Sequence, residues 1–192
     1  MDGPSPGGRP EPSKPQERSG ARATIEWVVI IASALIVALV VKTFLVQAFY
    51  IPSGSMEPTL RPGDRVLVNK LSYDLHPIHR GDIVVFKRPP SEAEDPTIKD
   101  LIKRVIGLPG DTLEGRPDGV YVNGKRINEP YLAPETQTVS LPITKVPAGT
   151  YFVMGDNRTN SKDSRFIGPI AGSLIVGRAF VRVWPLSKLG FL

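Results

Sequence analysis

Two hydrophobic periods divide the chain. From Trp27 to Val41 no residue is charged, and the apolar character continues past Lys42 through Phe44-Leu45-Val46. A membrane-crossing helix needs about 20 residues. Ile25 to Val46 supplies them if Lys42 extends its ammonium to one interface and Trp27 marks the other. No polar face interrupts the stretch, which argues against a core helix of a soluble fold. Val46-Gln47-Ala48 resembles the small-residue cleavage site of a secretory leader, but the length of the stretch and the position of Lys42 favour an uncleaved anchor. Arg9, Lys14, Arg18 and Arg22 precede it and favour a cytoplasmic N-terminus, with the rest of the chain outside.

After residue 50 the period changes to two. Arg65-Val66-Leu67-Val68, Ile83-Val84-Val85-Phe86, Thr112-Leu113, Gly119-Val120-Tyr121-Val122 and Thr150-Tyr151-Phe152-Val153-Met154 are short β-rich runs, punctuated by Pro, Gly and Asp. Leu174 to Trp184 alternates toward its end and reads as a long strand. Such runs predict a mainly β fold, a twisted antiparallel, barrel-like sheet preceded by one transmembrane helix. Residues 87–100 and 129–148, rich in proline and charge, read as loops or a small inserted lobe. The expected organisation is a disordered Pro/Gly-rich cytoplasmic tail over 1–23, a transmembrane helix over 24–46 and an extracytoplasmic domain over 47–192. The tail holds five prolines and four glycines and cannot bury enough apolar surface to fold alone.

Composition narrows the chemistry. A formal net charge of +5 with scattered basic residues fits an anionic lipid surface. No basic run interleaved with aromatics is present, so no nucleic-acid partner is expected. Cysteine is absent, which removes disulfides and thiolate metal sites and fits a bacterial protein outside the cytoplasm. The only histidines, His76 and His79, flank Pro77 and read as turn residues. A catalytic zinc site lacks ligands, and no metal or cofactor is expected. Arg80-Gly81-Asp82 opens a strand and is not read as an adhesion tripeptide.

Three segments carry candidate chemistry. Ile51-Pro52-Ser53-Gly54-Ser55-Met56-Glu57-Pro58-Thr59 places a serine in a stiff, glycine-permitted turn. A serine is a weak nucleophile until a base lies beside it. The Ser55 amide and the Ser53 hydroxyl can converge on the oxygen of a tetrahedral intermediate. Leu101-Ile102-Lys103-Arg104-Val105-Ile106 sets a lysine between apolar neighbours. In a strand Leu101, Lys103 and Val105 share one face, which reads as buried, and burial favours the neutral amine that can act as a base. Arg104 points the other way, to solvent or an acidic partner. Met154-Gly155-Asp156-Asn157-Arg158-Thr159-Asn160-Ser161-Lys162-Asp163-Ser164-Arg165 is dense in turn formers and charges able to form an ion-pair network, and a serine there can orient a lysine amine. Taken alone, each segment also reads blandly, as a surface loop, an edge-strand lysine and a polar turn. Together they suggest a serine–lysine hydrolase held at a membrane.

These segments, with Arg80 to Phe86, resemble the ordered motif boxes of bacterial type I signal peptidase, peptidase family S26, in its compact single-anchor form. The resemblance spans about residues 25–185 in the right order. It implies a membrane-bound serine endopeptidase that removes N-terminal signal peptides from preproteins after Ala-X-Ala-type sites, without a cofactor. It makes Ser55 the nucleophile, Lys103 the general base, Ser53 an oxyanion donor and Ser161 the group that orients the lysine. Arg104, Asp156, Asp163 and Arg165 become structural supports, with Asp163 and Arg165 paired. Ile51, Met56, Leu60 and Ile102 match the lining of shallow substrate pockets, and the substrate adds as an extended strand. Partners would be preproteins and the lipid bilayer of the plasma membrane, and the protein a monomer.

Other classes are weighed against it. A self-cleaving repressor with the same dyad needs a DNA-binding domain in place of the apolar segment. The endoplasmic-reticulum enzymes carry histidine where Lys103 stands, whereas the mitochondrial inner-membrane enzymes keep lysine. A membrane-tethered β binding module without catalysis is the non-enzyme alternative. Trp184 and Phe191 with their apolar neighbours suggest a surface that touches the membrane.

Overall fold

The computed structural model describes residues 3, 20–90 except 41–44, 99–134, 136 and 141–192. It separates into two units, one ending at Leu39 and one beginning at Val40. The first holds all but the last residue of helix α1, Gly20–Val40. Its stretch Arg22–Leu39 is long and apolar enough to cross a membrane. The helix starts earlier than the expected residue 24: Arg22 and Ala23 are good helix formers and simply continue the backbone ladder outward. The helix runs to Val40, and Val46, expected within it, belongs to a strand. The position expected for Lys42 at an interface, and nearly all of the expected disordered tail, lie outside the described residues.

The second unit is mainly β and antiparallel. Its larger sheet is built from β1 (Val46–Tyr50), β2 (Arg65–Asn69), β3 (Ile83–Lys87), β4 (Asp100–Gly107), β9 (Thr150–Met154), β10 (Ile170–Ala171), β11 (Ile175–Trp184) and β12 (Gly190–Phe191). The strand order is β1-β2-β11-β3-β4-β9-β10, with β12 on β11. Val46 pairs with Asn69, and this ladder takes it from the helix that the hydrophobic pattern extended to it. The smaller sheet runs β7-β6-β5-β8, from β5 (Thr112–Arg116), β6 (Gly119–Val122), β7 (Lys125–Arg126) and β8 (Leu141–Lys145). Asn123 and Gly124, both at positive φ, make the two-residue turn between β6 and β7.

Strand β8 lies within a stretch expected to be loop. Its Pro142 masks it in the sequence, yet β8 is at the sheet edge, where a missing amide costs no ladder bond. Leu141 and Val146 on either flank are buried. Lys87 and Asp100, also inside an expected loop, are the ends of β3 and β4 and pair with each other.

Three apolar clusters hold the domain. β3 is covered on both faces: Ile83 and Val85 join Ile51, Met56, Leu60, Val66 and Val68, while Val84 and Phe86 join Val105, Val153 and Ile170. That explains why its sequence is an unbroken apolar run. The third cluster, with Leu113, Val120, Val122 and Phe152, fills the space under the smaller sheet. Two further short helices, α2 (Ser72–Leu75) and α3 (Ser164–Ile167), close loops. His76 follows α2 and His79 opens a turn closed by its carbonyl accepting from the Asp82 amide.

Gly177 sits at the irregularity where β11 pairs β3, and a Cβ there would meet the backbone carbon of Asn69 at 2.9 Å and Lys70 Cα at 3.0 Å. Backbone cannot yield as a side chain can. Gly177→Ala is expected to lower stability by about 1–3 kcal/mol, measured by urea unfolding; an unchanged midpoint would contradict this close approach.

Candidate active site

The Ser55 turn is anchored from below. Ser55 lies in the 3₁₀ turn Gly54–Met56 that follows β1. The Ile51 amide donates to the Asp64 carbonyl and the Gly63 amide donates to the Ile51 carbonyl, both at 2.9 Å, fixing the entry. Met56 and Leu60 then pin the exit in the first apolar cluster, with no exposed surface. The turn therefore holds its serine hydroxyl up while its apolar neighbours point inward.

β4 brings Lys103 to that hydroxyl. Leu101 and Val105 both pack in the second cluster, as alternation predicts, and Lys103 between them is 4% exposed. Its Nζ lies 2.8 Å from Ser55 Oγ and 2.9 Å from the Ile102 carbonyl oxygen, donating to both when charged. Burial pushes the ammonium down from its usual 10.5 to about 8. The carboxylates of Asp163 and Asp156 resist that shift and Arg165 assists it, but loss of water dominates.

The third segment backs the turn. The Asn157 amide donates to the Ser55 carbonyl and Asn157 Nδ2 to the Gly54 carbonyl, each at 3.1 Å. Gly155 lies so close that a Cβ on it would strike the Ser55 carbonyl oxygen and the Ser161 hydroxyl. Asp163 caps α3 and accepts from the Gly155 amide at 2.9 Å while pairing with Arg165 at 2.8 Å. Arg165 also donates to the Arg158 carbonyl at 2.7 Å. Arg104 is 7% exposed and bidentate on Asp156, at 2.9 and 2.7 Å, so it has the acidic partner rather than the solvent. Thr59 donates to the same carboxylate at 2.6 Å.

Not every expected contact is present. Ser161 Oγ is buried without a hydrogen-bond partner and makes no bond to Lys103. Its place is beside Gly155, against the backbone of the Ser55 turn. Ser53 Oγ lies 3.5 Å from Ser55 Oγ, on the exposed side. Ile51, Met56 and Leu60, expected to line pockets, are sealed in the apolar cluster, and only Ile102 of the four is partly exposed. Apolar residues next to a turn serve the core first.

Thr59, Asn157, Arg158, Glu129 and Tyr131 also belong to the site's surroundings and were not singled out. Arg158, wholly buried, is bonded by Glu129, and the Tyr131 ring lies 3.9 Å from the Arg104 guanidinium carbon. Arg158 was signalled only as one charge among several in a polar turn. Glu129 and Tyr131 gave no signal, since nothing local ties them to the site. Among the described residues no cluster of His, Cys, Asp or Glu is arranged to hold a metal ion.

A serine hydroxyl and a buried amine in contact, on a mainly β domain, form a site equipped for acyl transfer. The family profile described as signal peptidase, peptidase S26, matches residues 24–184. The chain belongs to this peptidase family. It is 43% identical to a probable signal peptidase I-2 of Synechocystis, covering 95% of this chain and 83% of that one. It is 42% identical to a signal peptidase I of Leptolyngbya laminosa, covering 98% and 92%. A crystal structure of a signal peptidase I from Enterococcus faecalis aligns with a TM-score of 0.42 and 30% identity, over 54% of this chain and 97% of that one. With the family match over residues 24–184 and curated relatives 42–43% identical over most of its length, the chain is an enzyme, a serine peptidase of the type I signal peptidase kind.

The depressed lysine has a stability cost. Below pH about 8 the native ammonium is charged against burial while the unfolded lysine is charged in water, so the penalty is full; above 10.5 both are neutral and it vanishes. Lys103→Met is expected to raise unfolding free energy by up to about 3 kcal/mol near neutral pH, with the gain fading as pH rises from about 8 toward 10.5. Urea unfolding in detergent micelles at several pH values checks this; a gain that does not fade with pH would contradict it.

Proposed function

We propose that this enzyme removes N-terminal signal peptides from secreted preproteins after Ala-X-Ala-type ends, with Ser55 as nucleophile and neutral Lys103 as general base. The observation that carries the reading is the 2.8 Å contact between Ser55 Oγ and a lysine amine whose pKa burial lowers to about 8. Lys103 takes the hydroxyl proton as Ser55 Oγ adds to the scissile carbonyl. The oxyanion is held by the Ser55 amide and the Ser53 hydroxyl. Collapse breaks the C–N bond, and Lys103 hands its proton to the departing amine. Lys103 then takes a proton from water, the hydroxide adds to the acyl-enzyme, and the signal peptide leaves as a carboxylate with Ser55 reprotonated.

The remaining residues fall in place around this sequence. Ser161, whose buried hydroxyl has no other partner, orients the Lys103 amine during turnover. Arg104, Asp156, Asp163 and Arg165 keep the turns in register. Residues 100–103 of β4 take ladder pairs from β3, whereas β9 pairs from Arg104 onward, which supports an extended substrate adding beside residues 100–103. Ile102 forms the pocket wall, and Ile51, Met56 and Leu60 act from beneath as a packed floor that keeps the pockets shallow. Small side chains fit such pockets and large ones do not.

In this reading α1 anchors the enzyme, with the basic tail in the cytoplasm and the domain outside the plasma membrane. The end of the larger sheet supports a membrane-facing role. Trp184, Leu186, Leu189 and Phe191 are all exposed, and Tyr50 and Trp184 both pair with Arg65 across it.

Wild type in detergent is expected to cut a preprotein after Ala-X-Ala, while Ser55→Ala and Lys103→Ala lose at least about a thousandfold in rate. Single-turnover acylation should rise with pH through about 8 and level off above it. Mass analysis of the new N-terminus reports the site; cleavage by all three proteins alike, or a flat acylation profile, would remove the dyad. Replacing Leu186, Leu189 and Phe191 together by serine is expected to weaken binding of the domain to anionic vesicles at least about tenfold in a flotation assay, and undiminished flotation would remove the membrane-facing role.

A further inference from the structure

Behind the Ser55 turn lies an ion pair that the reaction does not use. The Arg158 side chain is completely buried and Glu129 is 7% exposed. Glu129 accepts from both terminal nitrogens of Arg158, one of them at 3.2 Å. A buried guanidinium requires such a partner, because losing it leaves an uncompensated charge in the interior. The partner is not local. Glu129 comes from the connector after β7 of the smaller sheet, 29 residues away in sequence.

The pair leads directly to the site. Arg158 Nε donates to the Gly155 carbonyl at 3.2 Å. Gly155 is the residue with no room for a Cβ between Ser161 and the Ser55 carbonyl. Its neighbour Asn157 donates to that same Ser55 carbonyl. Tyr131, two residues past Glu129, donates to Glu129 Oε1 at 2.8 Å and sets its ring against Arg104, which holds Asp156. One short stretch of the connector therefore braces both guanidiniums that fix the 155–158 turn, and that turn is the surface on which the Ser55 backbone rests.

We infer that Glu129 is a positioning residue for the peptidase reaction, acting through Arg158 and Gly155 on the placement of Ser55 against Lys103. The inference rests on the proposed roles of Ser55 and Lys103. It adds that the smaller sheet, through its connector, sets the reactivity of a site built on the larger one. Displacements of the order of 1 Å between reacting groups cost about a hundredfold in rate. Loss of the brace should therefore appear in kcat, and binding of the substrate along β4 should be spared.

The test uses the full chain in detergent with a preprotein substrate, and compares wild type, Ser55→Ala, Glu129→Gln, Glu129→Asp and the double variant Glu129→Leu with Arg158→Met. Glu129→Gln is expected to lose about 10–100-fold in kcat with KM within about twofold, with unchanged circular dichroism, and Glu129→Asp to recover part of the loss. Hydrogen exchange gives a reading apart from activity: the Gly155 and Asn157 amides should exchange faster in Glu129→Gln while those of β3 and β4 keep their protection. Wild-type kcat in a folded Glu129→Gln, or a loss that only follows the unfolded fraction, would overturn the inference. Should Glu129→Gln not fold, the double variant decides, since it leaves no buried charge unpaired: full activity overturns the inference and a kcat loss in the folded protein supports it. Failure of the dyad itself would look different, with Ser55→Ala as active as wild type.

Discussion

The candidate site depends on the removal of water from one lysine. An ammonium is among the most strongly hydrated groups a protein carries, and β4 places one where 4% of its surface is exposed. The apolar residues flanking it in the strand do this, together with the Ser55 turn laid over its end. The result is an amine that gives up its proton far more readily than the same side chain does in water. Among the described residues its hydrogen-bond partners are a hydroxyl and a carbonyl, neither of them a carboxylate or an imidazole. The nearby acids in fact oppose the shift, so the desolvation has to be large enough to override them.

That requirement explains why the surroundings are so heavily ionic. Lowering the polarity around Lys103 also strips water from every charge nearby, so each must find a counter-charge inside the protein. Arg104 with Asp156, Arg165 with Asp163 and Arg158 with Glu129 are these pairs, and each includes at least one fully buried side chain. They hold turns rather than strands, which is where backbone geometry is otherwise least determined. The apolar clusters fix the sheets and the ion pairs fix the loops between them.

Much of this is legible in the sequence, and unevenly so. The strands were visible because alternation reports which face is covered, and β3 betrayed its two covered faces by an unbroken apolar run. Strand β8 was hidden by Pro142, a residue that argues against a strand unless one knows the strand is at an edge. The first residue of β1 reads as helix because apolar composition does not distinguish a helix end from a strand that finds a partner; Val46 is decided by Asn69, 23 residues on. The serine and the lysine were legible through their odd local settings. Glu129 and Tyr131 were not, because their meaning lies entirely in residues distant in sequence. Ile51, Met56 and Leu60 were legible as apolar neighbours of the Ser55 turn, and the structure packs them in the cluster beneath it.

The site draws its turn, its lysine and its backing from three stretches far apart in the chain: Lys103 is 48 residues from Ser55, and Asn157 is 103 from Gly54. Contacts of such separation carry a high loop-closure entropy and need the rest of the fold to hold them. A polypeptide still emerging during synthesis thus carries a harmless serine and an ordinary, protonated lysine. The contact between Ser55 and Lys103 is therefore a property of the closed domain and of neither segment by itself.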